Sequence, residues 1–276
     1  MSSTPTYTPT LMQKLLGRNY KWWYLTAFAF KTTSTYKISN LFEWLQYLVI
    51  IGGSLSVWWV NYQSGSKIAE FSYIFTYFVV GEIFDLIFGN SFGRNISDDI
   101  KDGKITGKLL NTSNVWLQYF FRSFGAKLFW NLDIFLWIFI AFLGSQFLVY
   151  PSFSNTVLAI ILFLCGSIMQ TFVSVIIGSM AFIIIDTNGL ERFVSELDKV
   201  GSGKIIPLNL FWVTNLLTFT HLSYLFYHPM QIYLGKYSPS ETLYVFLGGI
   251  GWCVVLYFLA KWIFKAGLKR NESVGL

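Results

Sequence analysis

The chain has 276 residues, of which 54% are hydrophobic, 20% aromatic and only 12% charged, with a formal net charge of +6. That charge density is about half that of an average soluble domain, and a water-soluble fold of this length cannot hide so much apolar surface. Composition therefore points to an all-α integral membrane protein, whose positive balance reflects topology and anionic lipid in place of nucleic-acid binding.

The first forty residues are polar and aromatic and lack a short apolar core ending at a small-residue cleavage site, so no cleavable signal peptide is read there. Leu11 to Phe30 has helical character, with Lys14, Arg18 and Lys21 within about 60° of one another and Met12, Leu15, Leu16 and Trp23 opposite. This predicts an interfacial helix, with Trp22, Trp23 and Tyr24 at headgroup depth.

Six apolar runs follow, each long enough to cross a hydrocarbon core of about 30 Å, which takes roughly 20 helical residues. They lie near Leu41 to Asn61, Phe71 to Phe92, Leu128 to Val149, Val157 to Ile185, Ile205 to Tyr227 and Leu243 to Phe264. With a cytoplasmic N-terminus, eighteen of the 20 basic residues fall on the inner side and only Lys67 and Lys236 outside, a strong positive-inside signal. Both termini are then cytoplasmic.

Between the second and third runs lies a polar interruption, Arg94 to Asn114. It carries Asp98, Asp99 and Asp102 among Lys101, Lys104 and Lys108, with Ile96 and Ile100 one helical turn apart and glycines at 103 and 107. That pattern predicts a short amphipathic helix at a membrane surface, a docking element and not a catalytic one.

Ionisable residues inside spans each cost about 2.5–3.5 kcal/mol at the bilayer centre, so the few present carry information. Glu82 and Asp85 share a helix face with Gly81 and Gly89, and Asp133 lies early in the third run. They either line a proton or substrate pathway or sit near the cytoplasmic end and pair with Lys127, Arg122 or Arg94. Ser167, Gln170, Thr171, Ser174 and Gly178 form a small, polar stripe on the fourth run, of the kind that lets helices approach closely. Thr214, Thr218 and His221 recur on one face of the fifth, beside Asn209 and Asn215, and form either a path lining or ordinary interhelical hydrogen bonds.

Catalytic and cofactor signatures are missing. His221 and His228 have no Cys, Asp or Glu at ligand spacing, and Cys165 and Cys253 lie inside predicted spans, which argues against a metal site or disulfide framework. The glycine-rich pieces at 103–108 and 201–204 do not satisfy the phosphate-loop pattern and follow no strand.

Three stretches carry a resemblance. Ile96, Ile100, Gly103, Leu109 and Leu110 fit I-x-x-x-I-x-x-G-x-x-x-x-x-L-L-x-P, with Thr112 where proline is common. Ser202 to Leu208 is similar to a Ser-Gly…Pro-Leu stretch before a fifth span, and Tyr227 to Gly235 to a Y-x-P-x-x-x-x-L-G stretch before a sixth. In order and spacing the chain resembles permease subunits of ABC-2 type transporters, in the short six-span subgroup that works with a separate ATPase.

The resemblance implies a single transmembrane domain over residues 1–276: an N-terminal tail and elbow helix to residue 40, six spans over 41–264, and a cytoplasmic tail over 265–276. It implies a coupling helix between spans 2 and 3, in which Ile96, Asp98, Asp99, Ile100, Lys101, Gly103, Lys104, Leu109 and Leu110 meet the ATPase. Short extracytoplasmic helices would dip into the outer leaflet over Tyr227 to Glu241, broken by Pro229, Gly235 and Pro239. The chain itself would hold no catalytic residue, cofactor or metal; ATP and Mg would sit in a dimeric partner ATPase. A second permease, homologous and not identical, would complete the path in a bacterial-type cytoplasmic membrane, exporting a lipid-like or amphipathic cargo. Two alternatives stay open: a proton-coupled secondary transporter using Glu82, Asp85 and Asp133, and a lipid-modifying membrane enzyme without a known motif.

Overall fold

The computed structural model describes residues 17–33, 70–89, 92–110, 114–130, 133–184, 187–203 and 217–273, with scattered positions between 42 and 64. Among them the chain is helical and contains no strand. The helices are α1 (Tyr20–Thr33), α2 (Phe71–Phe88), α3 (Gly93–Lys101), α4 (Ile105–Leu109), α5 (Val115–Trp130), α6 (Asp133–Leu143), α7 (Phe153–Ser179), α8 (Asn188–Gly201), α9 (Tyr227–Tyr233) and α10 (Pro239–Ser273). Among the described residues three stretches are long and apolar enough to cross a membrane: Phe71–Lys101, which takes in α2 and α3, Phe153–Phe182 and Pro239–Arg270.

α7 is the mast. Its start is set by Ser152, whose hydroxyl accepts from the Asn155 amide at 3.2 Å, a side-chain cap for one of the four unpaired donors at a helix start. A largely apolar sequence without a charged residue then carries it 27 residues, about 40 Å. α10 has a reciprocal cap, in which the Ser238 amide donates to Glu241 Oε2 at 2.7 Å and the Glu241 amide to Ser238 Oγ at 3.4 Å. Pro239 stands at its first position, where a missing N–H costs nothing. At 35 residues it is about 52 Å long, so the predicted sixth span continues helically through the stretch expected as a tail.

The interfacial helix is described only from Gly17, so Met12, Lys14, Leu15 and Leu16 lie outside the described residues. From Tyr20 it packs along α5: the Trp22 ring stacks on Phe121 at 5.0 Å, and Thr26 and Ala29 are buried. A Cβ on Gly125 would strike the Thr26 backbone, so the glycine is what lets the two helices touch. Trp22 is thus a packing residue, while Trp23 and Tyr24 stay exposed.

The third run is described on either side of residues 131–132: α5 extends through Trp130, and α6 runs 11 residues from Asp133. α6 packs Trp137 against Phe71, Phe75 and Val79 of α2, and its end is tied there by the Val149 amide donating to Thr76 Oγ1 at 2.8 Å.

The fifth run does not form a straight span. A helix over Ile205 to Tyr227 would separate its ends by about 33 Å, yet the Tyr227 amide donates to the Ser202 carbonyl at 2.9 Å. Tyr77 Oη donates to the Gly203 carbonyl at 2.9 Å, and Leu222 lies against Gly201. The chain leaves this point after Gly203 and returns to it at Tyr227.

The return along α7 is made instead by α8 and α9. Thr187 meets Ser97 near the end of α7, Asp198 meets Gln170 at 3.0 Å, Tyr224 lies on Gly166, and Gly235 lies on Asn155 near the start. In the stretch expected to dip into the outer leaflet, Tyr227 through Ile232 are all buried, while Gly235, Lys236 and Ser238 to Glu241 are exposed. Pro229 does not break α9, because it occupies the first turn, where the amide has no partner to lose.

Most of the first run lies outside the described residues. Of its described positions, Trp59 packs edge-on against Phe71 at 5.0 Å.

Candidate functional site

The polar segment is two short helices folded back on themselves. α3 ends at Asp102, and Gly103 takes φ +69°, a left-handed conformation that suits glycine and lets α4 start at once. The segment's apolar ridge is spent inside the chain: Ile96 is 0% and Ile105 1% exposed, packed with Phe92, Tyr119, Val175, Ala260 and Phe264. Each such side chain contributes about 1.5–3 kcal/mol by leaving water.

α3 sits directly on α7 because small residues meet there. The Phe92 amide donates to Ser174 Oγ at 3.2 Å, and a Cβ on Gly178 would lie 2.6 Å from the Ile96 Cβ. Ser174 and Gly178 belong to the small, polar stripe read in the sequence. Its neighbour Gln170 serves the return limb.

Polar contacts close the segment. The Asp99 carboxylate pairs with Lys108 and accepts from Tyr119 Oη at 2.7 Å, while the Lys108 ammonium lies 4.0 Å over the Tyr119 ring. Side chains of Lys108 and Asp99 are only 21% and 13% exposed. Burial lowers the Lys108 ammonium from its ordinary value and Asp99 opposes that, whereas burial and then Asp99 push the Tyr119 phenol up, so it stays a donor. Asp99 and Lys108 thereby staple α3 and α4 to α5.

What remains outside is a rim. Asp98, Lys101, Asp102, Gly103, Lys104, Leu109 and Leu110 are exposed, Leu109 by 38% and Leu110 by 82%. Lys104 donates to Asp102 at 2.6 Å and Arg94 lies 4.0 Å from Asp98; these open pairs are worth little in energy. Of the predicted docking residues, Ile96 and Asp99 face inward, Ile100 is partly buried against the core, and the other six lie on the rim. Sequence reasoning missed Lys108, Tyr119 and Ile105, since the partner aromatic lies on the next helix and no local pattern announces it.

Among the described residues the intramembrane candidates are divided among separate elements. Asp85 lies where α2 ends; Lys127 Nζ donates to its carbonyl at 2.8 Å and to the Gly89 carbonyl, capping that helix end as a cation should. Glu82 lies one turn before Asp85 on α2 and is half-buried. Asp133 begins α6. Thr218 and His221 fall in separate 3-10 turns and not on one helical face: the Thr218 carbonyl pairs with His228 Nε2 at 2.8 Å, and the His221 ring lies 5.5 Å from Trp252. Thr214 lies outside the described residues. Among the described residues no group of three or more His, Cys, Asp or Glu side chains could hold a metal.

The fold is thus that of a helical chain with apolar helices long enough to cross a membrane, a polar segment clamped to its core and a mixed-charge rim exposed. The family model described as ABC-2 family transporter protein matches residues 48–275, and the chain belongs to that family. No curated protein and no solved structure matches it. The family is in general a non-catalytic transmembrane component that works with an ATPase subunit.

Proposed function

We propose that this chain is the permease subunit of an ATP-driven exporter, powered through its 93–110 segment by a separate ATPase that holds ATP and Mg. The carrying observation is the division of that segment: its apolar ridge is bolted to α5, α7 and α10, while Leu109, Leu110 and the charged rim stay open. A force applied to the rim would reach two membrane-long helices directly. Mixed charges at such a rim select a partner and register more than they add affinity. Nucleotide can bias the permease only through different affinity for its two states, and the rim is where that difference would be felt.

In this reading both termini and the rim are cytoplasmic, α1 is the elbow helix, α3 and α4 form the coupling helix, and the domain spans six crossings. A second, homologous permease would complete the path in a bacterial-type cytoplasmic membrane. The aromatic-rich, sparsely charged composition suits a lipid-like or amphipathic cargo.

Mild-detergent purification tests the docking. Leu109→Asp with Leu110→Asp should lose a co-purifying ATPase while the permease keeps its yield and melting temperature, because neither side chain is in the core. Unchanged ATPase recovery contradicts the proposal.

A further inference from the structure

The return limb meets α7 through one polar pair that is incomplete as an ionised carboxylate. Gln170 Nε2 donates to Asp198 Oδ2 at 3.0 Å. The remaining oxygens of the same two side chains, Gln170 Oε1 and Asp198 Oδ1, are both sealed from solvent and have no hydrogen-bond partner among the described residues. Two acceptors facing a shared partner cannot satisfy each other, and each buried orphan costs roughly 1–3 kcal/mol.

A single proton resolves both at once. A protonated carboxyl is a donor and an acceptor, so Asp198 Oδ1–H donating to Gln170 Oε1 completes a two-bond ring with the amide bond already present. We propose that Asp198 and Gln170 form a proton-binding site in which Asp198 is held as the neutral acid, latching α8 to α7. The proton comes from water, and only the O–H bond is made or broken.

The surroundings favour the neutral form. The Asp85 carboxylate of α2 acts against a second charge at Asp198, since two neighbouring carboxylates do not readily both ionise. From α7 the facing polar group is Gln170 itself. The turn packed on the end of α8 presents Leu222, and α3 presents Ser97 to Thr187 at the far end. The latch sits just before Ser202, where the limb leaves α7 and returns. Losing its proton would put a charge between Asp85 and Gln170 and free the limb at that point.

The experiment is infrared difference spectroscopy on the full chain with its co-purified subunits in lipid nanodiscs, at neutral pH. Wild type minus Asp198→Asn should show a hydrogen-bonded carboxylic-acid carbonyl band, shifted or lost in Gln170→Leu. Absence of that band in folded protein, or a band indifferent to Gln170→Leu, overturns the proposal. A second reading is stability: an Asn amide reproduces both hydrogen bonds, so Asp198→Asn should keep the wild-type melting temperature while Asp198→Ala and Gln170→Leu lower it by several degrees. Asp198→Asn as damaging as Asp198→Ala overturns it equally.

Discussion

α7 and the limb that returns beside it cover the same length of molecule in opposite directions, by different means. α7 is one capped, uninterrupted apolar helix of 27 residues. The limb is assembled from an amphipathic helix and a short buried one, with Ser202 and Tyr227 pinned together where the intervening chain leaves and comes back. Hydropathy reported α7 faithfully but assigned the return to the apolar run after it. It measures apolar length, and that length is equally consistent with crossing a bilayer and with folding back onto protein.

The contrast can be broken most severely at Gly166, where a Cβ would lie 2.5 Å from the Tyr224 carbonyl oxygen. Backbone cannot step aside as a side chain can, so Gly166→Leu should detach the limb at a cost of about 3 kcal/mol or more, seen as lost folded yield in detergent. Gly251→Leu, on a helix face with nothing within 4 Å, should leave the yield unchanged.

A smaller effect is expected at the clamp. Asp99→Ala leaves the Lys108 ammonium largely buried without its carboxylate, costing up to about 3 kcal/mol. Because the two residues form one unit, the Asp99→Ala, Lys108→Ala double variant should cost less than the sum of the singles in thermal melts. Additive losses would show that the pair is not coupled. The smallest energetic perturbation tests the limb's geometry: cysteines at Ser202 and Tyr227, with Cys165 and Cys253 replaced by Ala, should cross-link through a short bifunctional reagent. A straight helix over 202–227 would hold them about 37 Å apart and give no product.

Much of this was legible in the residues. The helical class follows from composition, and α2 and α7 were bounded to within a few residues because continuous apolar length ends in Gly89 on one and starts after Ser152 on the other. Ile96, Gly103 and Leu110 were singled out by spacing, but spacing could not tell inward from outward. Ile96 is hidden by Gly178, eighty-two positions away, whereas Leu110 meets nothing comparable. The broken limb was illegible for a related reason. Its decisive bonds, Ser202 to Tyr227 and Gln170 to Asp198, join residues that carry no distinctive local pattern.

The central claim, that the open rim of the 93–110 segment is where a partner ATPase drives this permease, is tested most directly by site-specific photo-cross-linking in membranes. A benzophenone side chain replacing Leu110 should label a nucleotide-binding protein, while the same group replacing the buried Ile105 should label only this chain. Labelling of an ATPase from position 105, or of none from position 110 and its rim neighbours, would contradict the account.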